Sequence, residues 1–587
     1  MLDPRIYRMG LTAVVLAVIV LAFSLEDQQS ALTTNLAPDA FSGQNAYATM
    51  ASLARAHPNR RPGSDGDVRA SEYVASKLRE DGFSVSTDTY SAPTPDGTRL
   101  LQNVVGMRAG LATGTIAVVA HRDALRAPAE ADMSGTSVLL ELGRLLAGQT
   151  QQHTIVLAST SGSPGAAGAA ELARRLPQPV DAVIVLGDMA GTSLREPVVV
   201  PWSSGQRVAP PVLRNTLATA LHAQTGLSGT QNGLGGQIAH LAFPMAASEQ
   251  VPFGSHGEPA VLLSLSGERG PAATEPTSLG RITGMGRSVV QALSALDGGP
   301  KIAAPSSYLE WAGKAIPAWA VRLFVLALIL PVLATTVDGV ARARRRGHPV
   351  ARWTGWVLAG GLPFVAAGAL VLLFHAVGLI ASPPGAPVGG DTVPLGASGV
   401  VLLALIACVL VGVIAWLGPR TLRAASRAGA PGSERAGAGT AVLSVLCVVA
   451  LAVWFANPFA AALLIPALHS WLWIVEPDLR LRAPAVIVLL LVGLAIPGLV
   501  VFYYASTLGV GPVGLAWSWS LLLAGGAVGW FQALEWSILA GCAMRVIAIS
   551  VRGARTHRDD VTEVTIRGPV TYAGPGSLGG TESALRR

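Results

Sequence analysis

Lysine is almost missing from this 587-residue chain: Lys77, Lys301 and Lys314 are the only ones. Charged residues of either sign make up 13%, against roughly a quarter in soluble domains. Apolar residues reach 51% and mean hydropathy is +0.48. A wholly soluble protein is thereby excluded, and so is a disordered one, which needs low hydrophobicity. Cysteine is scarce too. Cys408, Cys447 and Cys542 all fall in apolar runs, which argues against disulfides and against a thiolate zinc site in the polar part of the chain. The net charge of +7 is carried almost wholly by arginine. These arginines sit beside apolar runs, as in the cytoplasmic loops of membrane proteins, so no nucleic-acid partner is expected.

The apolar runs set the organisation. Residues 9–25 form one run behind Arg5 and Arg8, about long enough to cross a bilayer. A signal peptide is the competing reading, but no small-x-small cleavage site follows before Glu26. An uncleaved anchor over residues 1–26, with its start in the cytoplasm, is the preferred assignment. Seven more spans are expected, at 316–337, 353–380, 397–417, 440–456, 459–475, 485–505 and 513–530. Arginines at 342–346, 352, 420–427 and 480–482 follow every second span, while 381–396 and 506–512 carry none. That alternation fits a cytoplasmic N-terminus throughout. Residues 534–550 are expected to lie along the interface, and 551–587 to be a basic, disordered cytoplasmic tail. Arg322, His375, His469, Glu535 and Arg545 fall mostly near span ends, where long side chains reach water. A transport path therefore has little support.

Residues 27–300 differ in kind. Short, turn-bounded apolar runs at 115–120, 154–159, 182–186 and 260–265 read as buried strands. Helical patterns lie at 70–81, 136–146, 166–176 and 213–225. This alternation predicts an α/β domain with a mixed, mostly parallel sheet between helices. A connector, 301–315, leads to an all-α transmembrane bundle over 316–550.

Several polar motifs fall at predicted strand ends. His121-Arg122-Asp123 closes the first strand, where the ligand crevice of an α/β sheet lies. Ala131-Asp132-Met133-Ser134-Gly135 opens a helix. Ser161-Gly162-Ser163 follows the second strand and Asp188-Met189-Ala190-Gly191 the third. Together with Arg61-Pro62-Gly63-Ser64-Asp65 and Gln102-Asn103, the order resembles that of the co-catalytic zinc aminopeptidases of metallopeptidase family 28 over nearly half the chain.

The resemblance implies a two-zinc hydrolase fold in which a bridging Asp, a His and a second Asp hold one metal. A Glu-Glu pair supplies the general base and a ligand to the other, with a late His. Carried over, His121 and Asp188 match two ligands and Asp123 the carboxylate behind them. The bridging Asp falls on Ala131, with Asp132 one residue late. The Glu-Glu pair falls on Gly162 and Ser163, and the late-His segment, 271–278, has no histidine. His121, Asp188 and Asp132 could hold at most one zinc, weakly, because catalytic sites use three protein ligands plus an open position. No catalytic residue is assigned, since Gly162 occupies the base position. Glu130, Glu249 or His256 would have to substitute through a different geometry. His153, His222 and His240 are isolated and read as structural or surface groups.

Three functions follow as expectations. The first is a pseudo-peptidase that binds a peptide or protein partner outside the membrane. The second is an active zinc aminopeptidase with a remodelled one-metal site. The third is a transport or assembly scaffold. The architecture is similar to that of vacuolar membrane proteases and of the attachment-factor subunit of the GPI transamidase. The Arg- and Ala-rich composition suggests the plasma membrane of a high-GC bacterium.

Overall fold

The computed structural model describes residues 3–34, 38–229, 233–380, 393, 395–429, 433–476, 479 and 481–562. Among them are ten strands: β1 (Glu26–Asp27), β2 (Ser84–Thr94), β3 (Gly97–Arg108), β4 (Thr115–His121), β5 (Thr154–Thr160), β6 (Val180–Leu186), β7 (Val199–Val200), β8 (Ala260–Leu263), β9 (Tyr308–Trp311) and β10 (Lys314–Pro317). Seven of them form a mixed sheet in the order β2-β3-β5-β4-β6-β8-β7. The central β5, β4, β6 and β8 run parallel, and β2, β3 and β7 pair antiparallel at the margins.

Period-two side-chain alternation divides each central strand between two cores. Ile116, Val118 and Ala120 of β4 pack with the helices Gly43–Ala56, Ser134–Leu146, Pro211–Thr225 and Leu279–Asp297. Ala117 and Val119 face the other way, towards the helices Ala167–Ala173 and Gln250–His256. That second core continues without a break into the apolar helices of the C-terminal half through Trp202, Leu241 and Phe253 to Phe459, Trp471 and Tyr504. The expected strands 115–120, 154–159, 182–186 and 260–265 correspond to β4, β5, β6 and β8, displaced at their ends by one or two residues. The α/β fold class stands.

Among the described residues, eight helices are long and apolar enough to cross a bilayer: Pro4–Phe23, Ala318–Arg345, Val350–Ala376, Ala397–Ile414, Glu434–Ala456, Pro458–Val475, Ala483–Leu508 and Trp530–Ser550. One expectation is corrected. The run at 513–530 is not a span but the 13-residue helix Pro512–Ala524. At 1.5 Å per residue it covers about 20 Å, short of a core about 30 Å thick. Gly525 and Gly526 end it, and 534–550, expected at the interface, belongs to the long helix Trp530–Thr562. The tail expected from 551 is thus helical to Thr562. Residues 563–587, together with 381–392 and Arg480, lie outside the described residues.

The two halves of the chain meet at several contacts. β1, β10 and β9 form a small antiparallel sheet that joins the exits of the first and second spans. Asn457 Nδ2 donates to Leu241 O at 2.8 Å and to Ala242 O at 3.2 Å. Tyr504 donates its hydroxyl to Phe243 O, and the Tyr503 hydroxyl lies 3.2 Å from His240 Nε2. The α/β domain therefore rests on the ends of the helices Glu434–Ala456 and Ala483–Leu508.

Candidate ligand cleft

The C-terminal ends of β4, β5, β6 and β8 converge on a cavity of about 500 Å³. This is where open α/β sheets bind ligands. His121, Asp123, Asp132, Ser163, Asp188 and Glu249 all line it.

Buried charge holds the His121–Asp123 segment in place. Arg122 has no solvent exposure. Its Nε lies 2.9 Å from Asp67 Oδ1, and it donates to Ser159 O at 3.0 Å and Gln102 O at 2.6 Å. Asp67 comes from the helix Asp65–Glu80, whose N-cap is Ser64, and also accepts from Ser161 Oγ at 2.6 Å. Helix 65–80, β3 and β5 are thus tied to the end of β4. Arg60, also fully buried, donates to Arg122 O at 3.2 Å and Ala129 O at 2.8 Å.

The acids of the cleft are largely occupied by the protein itself. Asp123 accepts from the Ser163 backbone N–H at 3.1 and 3.2 Å and pairs with Ser163 Oγ at 3.1 Å. Burial pushes its carboxyl up to about 7, against the pull of His121. Asp188 Oδ1 accepts from the N–H groups of Ala190 (3.1 Å) and Gly191 (2.7 Å), while Oδ2 accepts from Ser266 Oγ. Its pKa is raised by burial, with these bonds opposing. Asp132 sits on the short turn Ala131–Met133 that leads into the helix Ser134–Leu146. Burial lifts it to about 6, while His121 and Arg60 oppose the rise.

Glu249 is the exception. It directly precedes the helix Gln250–His256 and is 3% exposed. Its Oε1 accepts from Thr160 Oγ1 at 2.6 Å. Its Oε2 lies 3.5 Å from His121 Nδ1 and has no hydrogen-bond partner. Burial works against a charge on His121, but Glu249 overcomes it and, with Asp123 and Asp132, raises the imidazole to about 9. Neighbouring Glu268 lines the same cavity and is pushed by burial up to about 8, against a hydrogen bond from Gln250.

Gly162 lies where the resemblance puts the general base, in the left-handed region at φ +85°. Residues 271–274 of the segment 271–278 line the cavity, held by bonds such as Ala129 N to Ala273 O at 2.9 Å, and Ser193 N donates to Glu275 Oε1 at 2.7 Å. Glu130 and His256 do not line the cavity. His256 Nδ1 lies 2.8 Å from Pro252 O at the end of its own helix. His153 instead spans Asp181 (3.4 Å) and Asp297 (3.2 Å).

A metal needs deprotonated donors that converge. Among the described residues no group of three or more His, Cys, Asp or Glu is placed to hold one. Asp188 spends both oxygens on its own turn and on Ser266, and His121 Nδ1 faces Glu249. The residues present, as arranged, do not fit the two-zinc centre or a three-ligand zinc site.

No family model matches the chain, and no curated protein matches it in sequence. Solved structures similar to it include zinc-dependent aminopeptidases and glutaminyl cyclases. An Acidobacteriales bacterium glutaminyl cyclase is 18% identical over 46% of this chain and 99% of its own, with a TM-score of 0.36. A leucine aminopeptidase precursor from Bacteroides thetaiotaomicron is 15% identical over 44% of this chain and 98% of its own, also at 0.36. A zinc aminopeptidase from Bacillus subtilis is 14% identical over 45% of this chain and 99% of its own, at 0.34.

Proposed function

We propose that the chain is a membrane-anchored, peptidase-like protein whose cleft binds an amine-bearing peptide or partner without hydrolysing it. The α/β domain lies outside the plasma membrane of a bacterium and the N-terminus lies in the cytoplasm. The observation that carries this reading is the loop after β5, where Gly162 offers no carboxylate and Ser163 caps Asp123. Metal-assisted hydrolysis needs an open metal position and a base within reach of the attacking water. Here both carboxylates of the expected pair are gone, and Asp123 and Asp188 are hydrogen-bonded within the protein. A buried acceptor remains on Glu249, and an ammonium group suits it.

The test uses the full-length protein in detergent. Zinc is added, metal content is read by mass spectrometry, and aminoacyl fluorogenic substrates are assayed beside His121→Ala. Substoichiometric zinc and no turnover above the variant are expected. Turnover that disappears in His121→Ala overturns the reading. One contact favours a second reading: Glu249, 3.5 Å from His121 Nδ1, orients the imidazole as an acid–base pair would. Turnover lost in both His121→Ala and Glu249→Gln would be its signature.

A further inference from the structure

The cavity is not enclosed by the α/β domain alone. Leu508, the last residue of the helix Ala483–Leu508, lines it too. That helix has 26 residues, and its most apolar 18-residue stretch has a mean hydropathy of 2.9. Tyr503 and Tyr504 lie one turn before its end, the depth at which aromatic side chains mark a membrane surface. The next residue, Gly509, lies so close to Arg269 that a Cβ there would come 2.3 Å from the guanidinium. Arg269 and Arg195 both line the cavity, and Arg195 Nη1 donates to Gly270 O at 3.3 Å. Leu508 thus brings the end of an apolar helix to the cavity, which Arg126, Arg195 and Arg269 also line.

The interior has the opposite sign. Asp132 and Glu249 line it with His121, and Glu249 Oε2 is buried without a hydrogen bond, its ion-pair partner His121 Nδ1 standing 3.5 Å away. Such an oxygen can still accept a hydrogen bond, and a cationic donor is its strongest partner. Guanidinium forks match phosphate oxygens. About 500 Å³ lies within the range of small-ligand sites, roughly 300–1,000 Å³.

We infer that the cleft takes the headgroup of a membrane phospholipid bearing a primary amine and a phosphate. The ammonium donates to Glu249 beside Asp132, and the phosphate accepts from Arg195 and Arg269. The acyl chains stay in the bilayer next to Leu508. This assignment rests on the binding reading above and names its ligand.

Native mass spectrometry of the full-length protein, from micelles holding equimolar phosphatidylethanolamine, phosphatidylcholine and phosphatidylglycerol, tests it. Choline has no N–H to donate and glycerol has no cation. Retention of phosphatidylethanolamine over phosphatidylcholine by about tenfold or more is expected, the scale of one hydrogen bond to a charged group. Glu249→Gln brings that ratio close to one, and Arg195→Ala lowers retention of all three lipids. Equal retention by the wild type overturns the assignment, and so does a preference that Glu249→Gln leaves intact. If that variant fails to fold, the wild-type ratio decides alone. A soluble tetrapeptide amide that binds through Glu249 and is not displaced by phosphatidylethanolamine also overturns it, while leaving the binding reading in place. Hydrolysis of that peptide overturns the binding reading instead.

Discussion

A Cβ built on Gly162 would come 2.8 Å from Leu101 Cδ1 and 3.1 Å from Ala167 Cβ, at a backbone φ of +85°. A side chain at this position strains the backbone and forces Leu101 to shift. The residue after it serves the neighbouring strand end instead, where Ser163 closes the Asp123 carboxylate with its backbone and its hydroxyl. A glutamate at the position where the resemblance puts the base is therefore not expected to supply one. Gly162→Glu is expected to lower the thermal midpoint, by an amount corresponding to about 1–3 kcal/mol for the strained backbone and the displaced Leu101, and to yield no aminoacyl hydrolysis. A folded variant that hydrolyses fluorogenic substrates would show that the loop had been one substitution from activity. Of the residues singled out from sequence, His121, Asp123, Asp132, Ser163 and Asp188 do line one cavity. Glu249 was harder to place from sequence. It lies 89 residues beyond Thr160, its hydrogen-bond partner, and no local spacing signals a pairing that the sheet alone creates. The orphaned oxygen likewise depends on burial, which sequence does not state.

Among the elements, the central strands were the legible part. β4, β5 and β6 are buried on both faces, so they read as continuous apolar runs. The β2–β3 hairpin was not legible, because β2 has polar Ser84, Ser86, Thr87, Asp88 and Thr89 along a half-exposed edge. The joint between domain and membrane was hidden for another reason. His240 looks isolated in sequence, yet it stacks on Trp202 at 4.8 Å and meets Tyr503 and Tyr504 edge-on at 5.7 and 5.8 Å. Tyr503 lies 263 residues further along the chain. Burial depresses the His240 pKa from 6.5 to about 3, so the folded protein keeps the ring neutral. Between those values the unfolded chain binds a proton that the folded one does not. Stability should therefore be complete above about pH 6.5 and fall as pH drops towards 3. In His240→Phe the slope of thermal midpoint against pH over this window is expected to flatten. At pH 8 the variant should be less stable by about 1 kcal/mol, for the lost contact with Tyr503. Equal slopes for the two proteins would rule out His240 as the titrating group at the joint.

For the whole molecule, the contacts sort the helix ends into two sets. Asp3, at the start of the first span, pairs with Arg342, near the end of the second, at 3.1 Å. Arg352 pairs with Glu434 at 2.6 Å, and Trp353 Nε1 donates to the same carboxylate at 2.9 Å. These ends carry the arginine clusters. At the opposite ends stand Arg322 over the Trp454 ring at 5.7 Å, Asn457 bonded to Leu241 O, and Tyr503 against His240. These ends carry aromatic residues and the α/β domain. Arginine-rich loops remain on the cytoplasmic side, and aromatic residues collect at the membrane surface. The small sheet of β1, β10 and β9 lies on the domain side, where the first span leaves the membrane and the second enters it. In the proposed orientation all the cleft residues sit outside, next to the outer leaflet. Single-cysteine labelling checks the arrangement, after Cys408, Cys447 and Cys542 are replaced by serine. Ser204→Cys, on an exposed loop beside the joint, is expected to react with an impermeant maleimide in intact cells. Arg346→Cys, exposed just past the helix Ala318–Arg345, should react only after permeabilisation. The reverse pattern would put the cleft in the cytoplasm, and its lipid would then have to come from the inner leaflet.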